Sequence, residues 1–248
     1  MNALASELIK LKRSMGWVAV LLLPILLVAV GAANTVASDE PLADGWHTLW
    51  LRSMVFGGLF PLQIGVAVLA SLVWRVEHRG TNWNVLMSGP TSTWRIVTAK
   101  AAVVAGLSAA MQLILLAAVQ GAGWMFGLPG AVPAEYVGLS LVIMVAYVPV
   151  AVLQSSLSML LRSFAAPVAV ALVGAGVSVV LLMAGLGVAI ASPYGLLTRA
   201  TQLGTGTFVD SGTVTPVDVI TILLVAVLVT AGLLFATVRL VDRRDTRT

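Results

Sequence analysis

Six apolar runs divide this chain, at about residues 15–33, 53–74, 101–126, 136–161, 165–190 and 217–238. Each can cross the roughly 30 Å hydrocarbon core of a bilayer as a helix, which takes about 20 apolar residues. None has Asp, Glu, Lys, Arg or His near its centre. Only 10% of the residues are charged and 59% are hydrophobic, whereas a soluble domain carries roughly a quarter as charges. The expected fold is therefore all-α: a polytopic membrane protein, with residues 1–248 forming one transmembrane domain of six helices.

The placement of charge sets the orientation. With the N-terminus inside, six spans put Lys10, Lys12, Arg13, Arg75, Arg79, Arg95, Lys100, Arg162, Arg239, Arg243, Arg244 and Arg247 in the cytoplasm. Of the 14 Lys and Arg, only Arg52 and Arg199 fall outside. Asp39, Glu40, Asp44, Glu135, Asp210 and Asp218 lie on the outer side. Lys and Arg decide orientation in short loops, so both termini are expected to be cytoplasmic. The same partition removes the nucleic-acid reading that a net charge of +4 and a pI near 10.0 invite: the charge flanks spans and forms no binding face.

Residues 2–13, NALASELIKLKR, are amphipathic at helical spacing: Leu4, Leu8 and Leu11 cluster opposite Ser6, Glu7, Lys10 and Arg13. This predicts an N-terminal helix lying in the cytoplasmic interface. A cleaved signal peptide fits less well, because the apolar run after it exceeds the roughly 7–15 residues of a signal core. In loop 34–52, Asp44 and His47 stand three apart, but a metal needs more ligands than that. A solvated exterior loop is expected there, with Trp17, Trp46 and Trp50 in an aromatic belt. Pro24, Pro61 and Pro149 fall inside spans, where neighbouring groups can satisfy the freed carbonyls. Gly174 and Ser178 form a small-xxx-small pair suited to close helix packing. Residues 191–216 fit either a re-entrant segment or a surface loop.

The longest polar interruption is Trp74 to Lys100, WRVEHRGTNWNVLMSGPTSTWRIVTAK. As a helix it aligns Val76, Gly80, Trp83 and Met87, joined by Leu86, beside a polar face of Arg79, Asn82 and Ser88. Gly89 and Pro90 then end it. A short amphipathic helix held between two spans suits a soluble partner, and equally suits rest on lipid headgroups.

Several chemistries are absent. No intramembrane charge offers the relay that ion-coupled carriers keep. Lys10, Lys12 and Lys100 precede Leu, Arg and Ala, so no P-loop exists, and ATP use is expected on another chain. No Gly-x-Ser-x-Gly elbow accompanies the two histidines, His47 and His78. The intramembrane polar residues Gln63, Gln112, Gln120, Gln154 and Ser155 fit interhelical hydrogen bonding, or the lining of a path for an amphipathic cargo.

The Trp74–Lys100 segment resembles the cytoplasmic loop of type-2 ABC exporter permeases. Glu77 follows span 2, Gly80 and Thr81 come next, Leu86 and Pro90 close the helix, and Arg95-Ile96 leads to Lys100. The opening SELIKLKRSMGW (Ser6 to Trp17) resembles the start of the lantibiotic-immunity permeases, which protect producers of peptide antibiotics. Trp83-Asn84 departs from the smaller or acidic residues of that pattern. The resemblance implies a coupling helix, built on Glu77, Arg79, Gly80, Trp83, Leu86, Met87 and Pro90, that docks into a cytoplasmic ABC ATPase. It implies a second six-span permease, identical or not, and a bacterial plasma membrane. It also implies that ATP and Mg are bound by the partner and no cofactor by this chain, which is not an enzyme. Gln63, Gln112, Gln154 and Ser155 would then lie along the cargo path. Lipid, glycan or drug export is the alternative within transport, and a membrane scaffold the alternative outside it.

Overall fold

The computed structural model describes residues 15–38, 42–78, 91–207 and 210–245. The amphipathic stretch 2–13 and residues 79–90, which hold most of the expected coupling helix, lie outside the described residues. Regular structure among the described residues is helical throughout. The α-helices are α1 Gly16–Ala37, α2 Trp46–Leu59, α3 Pro61–Arg75, α4 Thr93–Met125, α5 Ala134–Leu160, α6 Ala165–Met183, α7 Pro193–Gln202 and α8 Pro216–Asp245. A 3-10 turn, Gly187–Ala191, precedes α7. Among the described residues, α1, α4, α5, α6 and α8 are each long and apolar enough to cross a membrane. The α2–α3 pair makes a sixth if it is counted as one broken span.

The sequence reading of one unbroken span at 53–74 needs correction. The helix starts at Trp46 and breaks at Phe60, with a 54° bend between α2 and α3. Pro61 lacks an N–H and its ring crowds the carbonyl four residues back, and here two glycines precede it. Pro24 and Pro149 stay inside α1 and α5, so proline alone does not decide. At the moved start, polar residues of the expected loop find partners: Asp44 N–H donates to Thr48 Oγ1 at 3.0 Å, and the His47 ring lies 3.1 Å from the Tyr136 hydroxyl. Trp50 also leaves the expected belt, since it is 1% exposed and stacks on Tyr136 at 5.1 Å. Trp17 does face outward, at 45% exposure.

Other boundaries arise from local chemistry. The third span begins at Thr93 rather than 101, with Arg95 and Lys100 on its first turns. It ends in a Schellman turn: Gly127 has φ +75°, Leu128 N–H donates to Gly123 O, and Gly127 N–H donates to Trp124 O. The same device stops α6 at Met183 instead of 190, with Gly185 at φ +71°. In α8, Thr215 and Asp218 cap each other reciprocally, side chain to backbone N–H in both directions, with Pro216 in the first turn.

α5 is the central post; it packs against α3, α4, α6, α7 and α8. The core between them holds Met54, Leu62, Met111, Ile143, Tyr147 and Leu196. α7 resolves the open reading of 191–216. At ten residues it rises about 15 Å, too short to cross, and it is tucked between α2, α5 and α6 with most of its residues buried. The Gly174/Ser178 pair seats it: Gly174 leaves room for the Tyr194 ring, and Ser178 Oγ lies 3.3 Å from Ser192 Oγ. Large apolar side chains such as Leu26, Val173, Val180 and Leu228 face outward, as a lipid-facing surface requires.

Candidate functional site

The antiparallel helices collect the described charges at two ends. One end carries Arg75, Glu77, His78, Arg95, Lys100, Arg162, Arg239, Asp242 and Arg243, and also flanks residues 79–90. The other carries Asp44, Glu135, Asp210 and Asp218, with Arg52 and Arg199.

At the basic end, the end of α3 and the first turns of α4 are joined by a buried ion pair. Lys100 Nζ lies 3.0 Å from Glu77 Oε1, with side chains only 1% and 5% exposed. The ammonium also sits 4.8 Å from the centroid of the Trp74 ring. Trp74 Nε1 donates to Ser155 Oγ at 2.8 Å, and the His78 Nε2–H donates to the Ser158 carbonyl at 2.7 Å. These bonds bind α3 to α5. Ser156 Oγ and Thr237 Oγ1, 2.8 Å apart, bring in α8, and Val241 packs with Trp74, Ile96, Val97 and Met159. Four helices thus converge on the two flanks of residues 79–90. A charge pair this dry persists because each partner compensates the other; removing one strands a buried charge.

The candidate residues divide accordingly. Glu77 belongs to this base, and its partner is Lys100. Arg79, Gly80, Trp83, Leu86, Met87 and Pro90 lie outside the described residues. Ser155 is buried and bonded to Trp74. Gln63 and Gln154, both fully buried, meet at α7. Gln63 Nε2 donates to Gly58 O at 3.1 Å, Tyr194 O at 3.2 Å and Thr198 Oγ1 at 2.7 Å, and Gln154 Nε2 donates to the Tyr194 hydroxyl at 2.7 Å. Thr198 Oγ1 also donates to Gly58 O at 3.0 Å. The carbonyl at the α2–α3 break is therefore satisfied by side chains instead of by its own helix. Gln112 lies apart from this pair; its amide lies 3.3 Å from Ser140 Oγ and it accepts from Tyr147 at 3.5 Å. The Oε1 atoms of Gln63 and Gln154 are buried without a hydrogen-bond partner among the described residues.

Sequence reasoning misses Trp74, Lys100 as a buried cation, and Thr198. Lys100 heads an apolar run, and in sequence that signature is the same as a lysine reaching for water. Arg199 counts there only as an outer charge. In the fold it ties α7 to the segment leading into α8, 2.7 Å from Asp210 Oδ1 and 3.4 Å from Asp218 Oδ1. Asp210 in turn accepts from the N–H groups of Gly206 and Gly212.

The family described as ABC-2 family transporter protein matches residues 3–178 of the 248. No curated protein and no solved structure matches the chain. The match covers more than half the chain, including the base around Glu77 and Lys100, and the apolar helices agree with it. The chain belongs to the ABC-2 transporter family, as a multi-pass membrane protein of a kind that works with an ABC ATPase.

Proposed function

We propose that this chain is the permease of an ATP-driven exporter that removes an amphipathic peptide from the membrane, in the manner of antibiotic-immunity transporters. The observation that carries the reading is the buried Glu77–Lys100–Trp74 cluster. It grips both flanks of residues 79–90, so a push on that segment is passed to α3, α4 and α5. In this reading the basic end is cytoplasmic, both termini are inside, and the membrane is the bacterial plasma membrane. Trp83, Leu86 and Met87 enter a cleft on the ATPase, with Arg79 and Gly80 at the base and Pro90 ending the helix. ATP and Mg²⁺ bind to that partner. A second six-span subunit, identical or not, completes the conduit. Gln63, Gln112, Gln154 and Ser155 border the cargo path when the helices part. The peptide cargo is supported by the likeness of Ser6–Trp17 to the immunity permeases; a lipid, glycan or drug would use the same machinery.

The test is co-expression with a cognate cytoplasmic ABC ATPase. A buried aromatic anchor contributes on the order of 2 kcal/mol at an interface, and about 1.4 kcal/mol is a factor of ten. Trp83→Ala is therefore expected to lower ATPase co-purification more than tenfold and to abolish ATP-dependent loss of an amphipathic peptide from proteoliposomes. Retention of both by the variant would assign Trp83 to the headgroup region and sink the coupling reading.

A further inference from the structure

Beside the ion pair, α3 and the connection from α5 to α6 enclose a cavity of about 250 Å³. Ser71 and Arg75 of α3 and His78 just beyond it contribute to the wall, spaced so that they share one helix face. Ser158 contributes from α5, and Arg162 and Ser163 from the connection. The wall contains two guanidinium groups and three hydroxyls, and no carboxylate. Among the described residues neither arginine pairs with an acid, and the neighbouring Glu77 is held by Lys100. The volume is below the roughly 300–1,000 Å³ of a pocket for a whole drug-sized ligand, but it accommodates a head group. Two arginines match the flat, multidentate demand of phosphate oxygens. Ser163 Oγ accepts from Ala166 N–H at 3.3 Å and keeps its own proton to donate, whereas the Ser71 hydroxyl donates to Phe164 O at 3.3 Å and lies 3.4 Å from Ser158 Oγ. Leu161 and Phe164 form an apolar shoulder at the rim, 36% and 43% exposed.

We infer that this cavity is a phosphate site that takes the head group of an anionic phospholipid, whose chains lie along Leu161 and Phe164. A basic pocket at a helix end in the membrane interface is suited to such lipids. The inference needs only that this end of the bundle lies at a membrane surface; it does not rest on transport or on the ATPase. Occupancy would cross-link α3 to the start of α6 beside the grip on residues 79–90.

The test is native mass spectrometry of the purified full chain. It is exchanged with phosphatidylglycerol, phosphatidylcholine or inorganic phosphate, as wild type, R75Q/R162Q, R75K/R162K and R239Q. One phosphatidylglycerol is expected to be retained in preference to phosphatidylcholine. R75Q/R162Q should weaken it on the order of 25-fold, about fivefold for each basic residue near an anionic surface. The lysine pair should keep most of the binding. Arg239→Gln should change nothing, because that guanidinium sits over Phe235 at 5.0 Å, outside the cavity. Both cavity arginines are exposed, so the melting temperature should hold in every variant. Inorganic phosphate that binds with the same arginine dependence would keep the phosphate site and replace lipid as its source. Retention independent of Arg75 and Arg162, or equal retention of phosphatidylcholine, overturns the site.

Discussion

A lysine at 1% exposure in an apolar helix stands or falls with its partners. Lys100 has Glu77 at 3.0 Å and the face of Trp74 at 4.8 Å, and Trp74 is itself fixed by Ser155. Breaking such a pair from one side costs about 3–5 kcal/mol, whereas removing both charges together can be close to neutral. Lys100→Met and Glu77→Gln are each expected to lower the melting temperature in detergent clearly. The double variant should recover much of the loss, a coupling that a double-mutant cycle isolates. Additive losses would mean that the two charges act separately. The pair is half legible in sequence: Glu77 stands out as the single acid in its loop. Lys100 reads as one more cytoplasmic charge, because a run of letters does not show that a helix starts seven residues earlier and turns that side chain inward.

Among the elements, α7 depends most on its neighbours. Its own sequence, PYGLLTRATQ, is too short and too polar to insert alone. It stays inside because Gly174 and Gly58 leave space for Tyr194 and Thr201, and because Gln63, Gln154 and Thr198 hydrogen-bond across it. Interhelical hydrogen bonds of this kind contribute roughly 1 kcal/mol each, so several are needed. A valine at position 174 would meet the Tyr194 ring. Gly174→Val is therefore expected to loosen α7, read as faster maleimide labelling of a cysteine placed at Ala200, which is 1% exposed. The chain has no cysteine of its own, so the signal is clean. Unchanged labelling would show that α7 is seated by other contacts. From sequence the glycine–serine pair is legible as a close-packing site, but its partner is not, since the tyrosine comes twenty residues later across a turn. The α2–α3 break is hidden for a related reason. Pro61 breaks a helix where two glycines precede it and Thr198 and Gln63 bond the Gly58 carbonyl at the break, while Pro24 and Pro149 are carried without a break.

For the whole molecule, the separation of charge to two ends gives a topology experiment. Cysteines at Asp44 and Ser211, both exposed at the acidic end, should react with an impermeant maleimide added to intact cells. A cysteine at Ser92, exposed at the basic end, should react only after permeabilisation. Labelling of Ser92 from outside would reverse the proposed orientation. The sequence by itself determined that this is a helical membrane protein and where its apolar runs fall, because transfer into lipid depends on composition summed over a span. It also determined the division of charge, which depends only on how many spans separate two loops. Only the tertiary structure decided that the second span is broken, that 193–202 folds back into the bundle, and that Glu77 finds Lys100. Those outcomes turn on which side chain meets a stranded carbonyl or a buried charge, and such meetings are made by helices distant in sequence.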